Sequence, residues 1–75
     1  MVDAANHFGR RESGGLVVDL FWKRGDLRDE FRVEVEDRRR GDRLLLYPAT
    51  GREAIHAFHH PFAAEAELGI RAWAA

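Results

Sequence analysis

Three histidines, His56, His59 and His60, stand close together, and Glu53 precedes them by one helical turn. On a helix advancing about 100° per residue, His56 and His60 share a face with Glu53, a spacing at which two imidazoles and a carboxylate ligate zinc. The set stops there. No further ligand is evident, Glu53 is better used in a helix cap, and His60 precedes Pro61, which distorts the helix end. The expectation is a solvated polar helix face with His59 at the sheet edge, no metal and no cofactor. Nucleophilic catalysis finds less support still, because it needs a Ser, Thr, Cys or Lys held beside a base. The chain has no cysteine, Ser13 lies among glycines, Thr50 is placed to cap a helix, and Lys23 ends a strand. The sequence reads as non-enzymatic.

Arginine is the remaining chemistry. Eleven of the 12 basic residues are arginine, and Arg38, Arg39, Arg40 and Arg43 cluster at one turn, where they could touch a phosphate backbone. Asp37 and Asp42 sit beside them, however, and the net charge of the chain is −1. Residues 1–37 hold six bases against nine acids and residues 38–75 six against four, so neither half is a polyanion ligand by composition. A weak nucleic-acid-binding domain using this turn is the alternative reading.

The elements that must position these residues follow from periodicity. A chain of 75 residues allows one domain that buries about 60% of its unfolded surface. With 45% hydrophobic and 33% charged residues it has the composition of a folded domain, held by packing or self-association in the absence of disulfides. No run is long enough to span a membrane and no apolar signal segment opens the chain, which gives no membrane association and a cytoplasmic location as the expectation. Residues 1–14 read as a flexible leader, 15–69 as the domain and 70–75 as an apolar C-terminal tail.

Within the domain, Leu16 to Lys23, Phe31 to Glu36 and Arg43 to Tyr47 alternate with period two and read as strands. Parity pairs Trp22 with Phe31, and Val35 with Leu46, giving a three-stranded antiparallel meander. Both turns contain Arg-Gly-Asp, at 24–26 and 40–42, read as tight turns rather than adhesion motifs. Thr50 and Glu53 form a capping box, Ala54, Ile55 and Phe58 a core stripe, and Pro61 breaks the helix and starts a second short one ending before Gly69. The fold class is α+β, one sheet face covered by the broken helix. The predicted core is Leu16, Val18, Leu20, Trp22, Phe31, Val33, Val35, Leu44 and Leu46 against Ile55, Phe58 and Phe62.

That arrangement leaves Val17, Phe21, Leu45 and Tyr47 on the opposite sheet face, around a charged second strand carrying Arg32, Glu34 and Glu36. Clustered apolar side chains on an open face mark a contact surface. The functional expectation is a protein-interaction module, a homodimer or partner complex in which Phe21, Leu45 and Tyr47 anchor the contact beside Val17, while Arg32 and Glu34 orient it. The competing expectation is that the leader or tail folds back, with Phe8 or Trp73 covering this face.

Two resemblances bear on this. Asp37, Gly41, Arg43, Leu46 and the helix from Thr50 to Phe58 resemble the second-strand-to-helix segment of plant AP2-type DNA-binding domains. Those domains lay the outer sheet face into a groove, and here that face carries Asp19, Glu34 and Glu36 beside Arg32 and Arg43. Phe31 to Ala64, with the helix end Ala57-Phe58-His59-His60-Pro61-Phe62-Ala63, is similar to a group of short uncharacterised proteins of actinobacterial type. That resemblance implies a stand-alone small domain and supplies no catalytic residues.

Overall fold

A computed structural model of the chain describes residues 6–68 and 72–74. The fold is α+β: strands β1 (Asn6–Ser13), β2 (Leu16–Lys23), β3 (Glu30–Asp37) and β4 (Asp42–Leu46), helices α1 (Gly51–His59) and α2 (Pro61–Leu68), and a short strand β5 (Ala72–Ala74). The strands form one antiparallel sheet in the order β1-β2-β3-β4-β5, a meander of five strands where three were expected.

The two added strands lie in the segments read as leader and tail. Residues 6–13 pair with β2 along its length, from Asn6↔Trp22 to Ser13↔Leu16, with a bulge between His7 and Gly9. Their turn is Gly14-Gly15, with φ of 57° and 87° at the two residues, the left-handed geometry that matches strand twist in two-residue hairpins. A Cβ on Gly15 would also meet Arg39 Cγ at 2.6 Å, so a larger residue there would have to displace that side chain as well as adopt a positive φ. The strand escapes a periodicity search because it lies at the sheet edge, where most of its side chains stay in water and no apolar alternation is needed. At the other end, Ala72–Ala74 pairs with β4 through Leu45↔Trp73 and its neighbours. Residues 1–5 of the leader, and Ile70, Arg71 and Ala75 of the tail, lie outside the described residues.

The β2–β3 register pairs Trp22 with Phe31, as parity requires. The β3–β4 register is shifted by two from expectation: Val35 lies opposite Leu44, and Leu46 opposite Val33. A two-residue slip keeps every side chain on its face, so hydrophobic pattern alone does not separate the two registers. Turn chemistry does. The Asp37 carbonyl accepts from the N–H of Arg40 (3.3 Å) and Gly41 (2.8 Å), its carboxylate accepts from the N–H of Arg39 (3.0 Å), and Gly41 takes φ 74°. Together these close a four-residue loop from Arg38 to Gly41.

The helices cover one sheet face. Thr50 Oγ1 accepts from the N–H of Glu53 (3.1 Å), and Glu53 Oε1 reaches back to the N–H of Ala49 (3.2 Å), so the capping pair fixes the start of α1. His60 leaves helical geometry (φ −138°, ψ 66°), and Pro61 opens α2, where its missing N–H costs nothing. The core joins Val18, Leu20, Val33, Val35 and Leu46 from the sheet to Ala54, Ala57 and Ala64 from the helices, with Leu16, Phe31, Leu44 and Phe58 packed around it. Two expected core residues are displaced: Ile55 is 57% and Phe62 53% exposed. The buried stripe of α1 runs at i, i+3 and i+4 through Ala54, Ala57 and Phe58, because methyl side chains let the helix approach the sheet more closely than isoleucine would. Trp22 is only half-buried, at the end of the sheet. Among the described residues, no helix is long and apolar enough to cross a membrane.

Because α1 meets the sheet through Ala57, which is fully buried, Ala57→Leu should lower stability by about 1–3 kcal/mol through overpacking. Ile55→Ala should change it by no more than about 0.5 kcal/mol. Denaturation midpoints of the two variants test this, and equal costs would mean that α1 presents another face.

Candidate functional site

Strand parity gathers the chemistry-bearing side chains on the face away from the helices. In register across the sheet lie Arg10, Asp19, Glu34 and Leu45; beside that row lie Glu12, Val17, Glu36 and Arg43; and on the other side His7, Phe21 and Arg32.

Asp19 is the buried centre of the first row, 9% exposed. His7 Nε2 lies 2.7 Å from its Oδ1, while Arg10 donates from Nε to Oδ1 (2.8 Å) and from Nη2 to Oδ2 (3.3 Å). Burial pushes the Asp19 carboxyl up, but the hydrogen bonds from Arg10 and then His7 outweigh it, and the group is held below the ordinary carboxylate range. The same hydrogen bond, with the charge of Asp19, raises Arg10. The His7 ring also tilts against Phe21, with centroids 5.1 Å apart. This cluster was not foreseen from sequence. Its signal is the Gly14-Gly15 turn, since a two-residue turn there places Arg10 opposite Asp19.

The next group contains the expected anchors. Arg32 stacks its guanidinium over Phe21 at 4.4 Å and places Nε 2.8 Å from Glu34 Oε2, while Arg43 Nη2 donates to the other oxygen of Glu34 at 3.2 Å. Leu45, opposite Glu34, is half-buried, and Tyr47 is 44% exposed. The structure therefore unites Phe21, Arg32 and Glu34 in one contact group, with Leu45 beside it. Val17 departs from the expected set: it is 3% exposed and offers no surface. Its flanking residues Glu12 and Glu36 are bridged by Arg38, at 3.9 and 3.7 Å, so long charged side chains close over it.

At the end of the sheet nearest Tyr47, a cleft of about 370 Å³ is lined by both faces and the adjoining loops. Phe21, Arg32 and Tyr47 contribute from the outer face, Trp22 and Phe31 from the inner one, with Lys23 and Arg28 beside them. Trp22 and Phe31 were both assigned to the core from their parity; Phe31 packs against the core and also lines this cleft, whereas Trp22 is half-buried beside it at the sheet end.

The four turn arginines each face a carboxylate: Arg38 meets Glu12 and Glu36, Arg39 meets Asp37 at 3.3 Å, Arg40 meets Asp42 at 3.5 Å, and Arg43 meets Glu34. The side-chain hydrogen bond from Arg39, aided by its backbone N–H, holds Asp37 below the ordinary carboxylate range. The histidines at the end of α1 and its cap lie close together, with centroids of His56 and His60 5.6 Å apart and His59 edge-on to Phe58. Among the described residues, no group of three or more His, Asp or Glu side chains is placed to hold a metal ion. No family model, curated protein or solved structure matches the chain.

The depressed Asp19 carboxyl fixes the sign of a pH effect. Its contribution is present above the unfolded-state carboxylate pKa, near 4, and is lost as pH falls through the lower folded-state value. Asp19→Asn should therefore cost about 1–2 kcal/mol at pH 7, a modest figure because Arg10 and His7 are half-exposed, and should flatten the loss of stability below pH 4. Melting curves between pH 2 and 7 check both, and parallel acid limbs in the two proteins would refute the role of Asp19.

Proposed function

We propose that the protein is a non-enzymatic, cytoplasmic interaction module that self-associates through the sheet face opposite the helices. One observation carries the reading: the helices cover one side only, and the other presents exposed Tyr47 with half-buried Phe21 and Leu45 beside a paired charge cluster. Apolar anchors within a charged surround are the composition of a contact surface that forms and separates. Val17 has no part in it, being covered already.

The charge of the face favours a second copy as its occupant. The outer positions of the strands and the adjoining turn carry Arg10, Lys23, Arg32, Arg38 and Arg43 against Glu12, Asp19, Glu30, Glu34 and Glu36. A face balanced in this way meets its own copy without net repulsion and can pair Arg with Glu across a two-fold axis. A polyanion would meet equal numbers of both signs, and a phosphate at the Arg38–Arg43 turn would have to displace carboxylates already in contact with each arginine. The nucleic-acid reading is therefore the weaker one.

Light scattering after size-exclusion chromatography, across protein concentration and salt, tests the proposal. The wild type should form a salt-resistant dimer. Leu45→Asp should raise its dissociation constant at least tenfold, about 1.4 kcal/mol, and Tyr47→Ala should weaken it in the same sense. Arg39→Ala combined with Arg40→Ala should leave association unchanged. An association constant and stoichiometry both unchanged by Leu45→Asp would overturn the assignment to this face.

A further inference from the structure

The outer edge of β1 is unpaired by any described strand, and its geometry selects one partner register. Arg38 N–H donates to the Gly15 carbonyl at 2.9 Å, which makes Gly15↔Arg38 a hydrogen-bonded pair of β2 and β3. By alternation, Leu16, Val18 and Leu20 then direct their backbone groups to β1, where their partners are Ser13, Arg11 and Gly9. The intervening residues Arg10 and Glu12 are left with N–H and C=O pointing away from the sheet, along the free edge.

We propose that β1 pairs antiparallel with β1 of a second copy, about a two-fold axis through Arg11, and joins two sheets into one. Only one arrangement sets these outward residues against opposite charges. With Arg11 facing Arg11, Arg10 of each chain lies opposite Glu12 of the other, and each such pair exchanges two N–H···O bonds. A slip of one dimer register either way places Arg10 against Arg10 or Glu12 against Glu12, which like-charge repulsion disfavours. The facing Arg11 side chains do not collide as free charges. Each guanidinium turns back beneath its own helix, donating to the carbonyls of Phe58 (3.0 and 2.9 Å) and His59 (3.2 Å). Phe8, 71% exposed on the bulge, comes opposite Gly14 of the second copy, where no side chain competes for the space. The chain has no proline or lysine in β1 to block such pairing. This edge is separate from the sheet face considered above, and neither proposal rests on the other.

The test exploits the backbone direction at residue 12. Glu12→Pro removes an outward N–H without touching the β1–β2 ladder, as proline is tolerated on an edge strand whose N–H faces solvent. Glu12→Arg instead places like charge against Arg10. With the sheet-face contact removed by Leu45→Asp, sedimentation equilibrium should still give a dimer, and adding either Glu12 change should raise its dissociation constant at least tenfold with unchanged far-ultraviolet circular dichroism. If Glu12→Pro disturbs the fold, Glu12→Arg decides. A Leu45→Asp protein that stays monomeric to millimolar concentration, or one whose association is unaltered by adding Glu12→Arg, overturns the proposal.

Discussion

The close seating of α1 on the sheet through alanine governs what the rest of the molecule can be. Ala54, Ala57 and Ala64 are each 1% exposed or less, and they meet valine and leucine from the three central strands. Methyl groups allow a short distance between the layers but cover little width. A pair of helices of nine and eight residues therefore shields the middle of one face, and the edges and the opposite face are left to other devices. At the β1 edge the device is Arg11, whose guanidinium caps the carbonyls at the end of α1 and stacks near Phe58 at 5.7 Å. One side chain both satisfies helix-terminal acceptors and ties the outermost strand to the helical layer.

On the opposite face, ion pairs do what a second layer of structure would do elsewhere. Val17 is as buried as a core residue, yet neither of the described helices lies over it; Glu12, Arg38 and Glu36 close above it. Asp19 is screened by Arg10 and His7 in the same way. Exposed ion pairs contribute little individually, typically about 0–1 kcal/mol, so their worth here lies in the apolar stems they hold across the sheet. This accounts for a chain that is one-third charged and still buries a core.

The sequence disclosed what depends on strong local patterns. The alternation in β2 and β3 yields their register, the Thr50–Glu53 pair marks the start of α1, and Pro61 divides the helices. What it concealed has three separate physical causes. An edge strand such as β1 is under no pressure to alternate, so only its Gly-Gly turn betrays it. Parity fixes faces but leaves registers that differ by two equivalent, and the choice at β3–β4 rests on Asp37 and Gly41 closing a four-residue loop. Hydrophobicity ranks Ile55 above Ala57, whereas close packing of a helix on a sheet prefers the smaller residue. Of the expected outer-face residues, Phe21, Arg32, Glu34, Leu45 and Tyr47 remain at the surface, and the covering of Val17 depended on the fold of β1 and the second turn.

The arginine content acquires a different meaning once these contacts are in view. A run such as Arg38-Arg39-Arg40 resembles a phosphate ligand when read along the chain, since the guanidinium fork suits phosphate. Folding the hairpin brings each fork to a carboxylate fork instead: Glu12 and Glu36, Asp37, and Asp42. The same planar geometry serves both partners, so what decides between them is supply. Thirteen acids against twelve bases, interleaved along the strands, place a carboxylate within reach of each of these arginines. A surface assembled in this way has little net field with which to attract a polyanion from a distance. It has a fine-grained alternation of sign, which only a surface of matching alternation can satisfy. On the proposed reading, a second copy of the same chain supplies that surface in the right order, at the right spacing and at equal concentration.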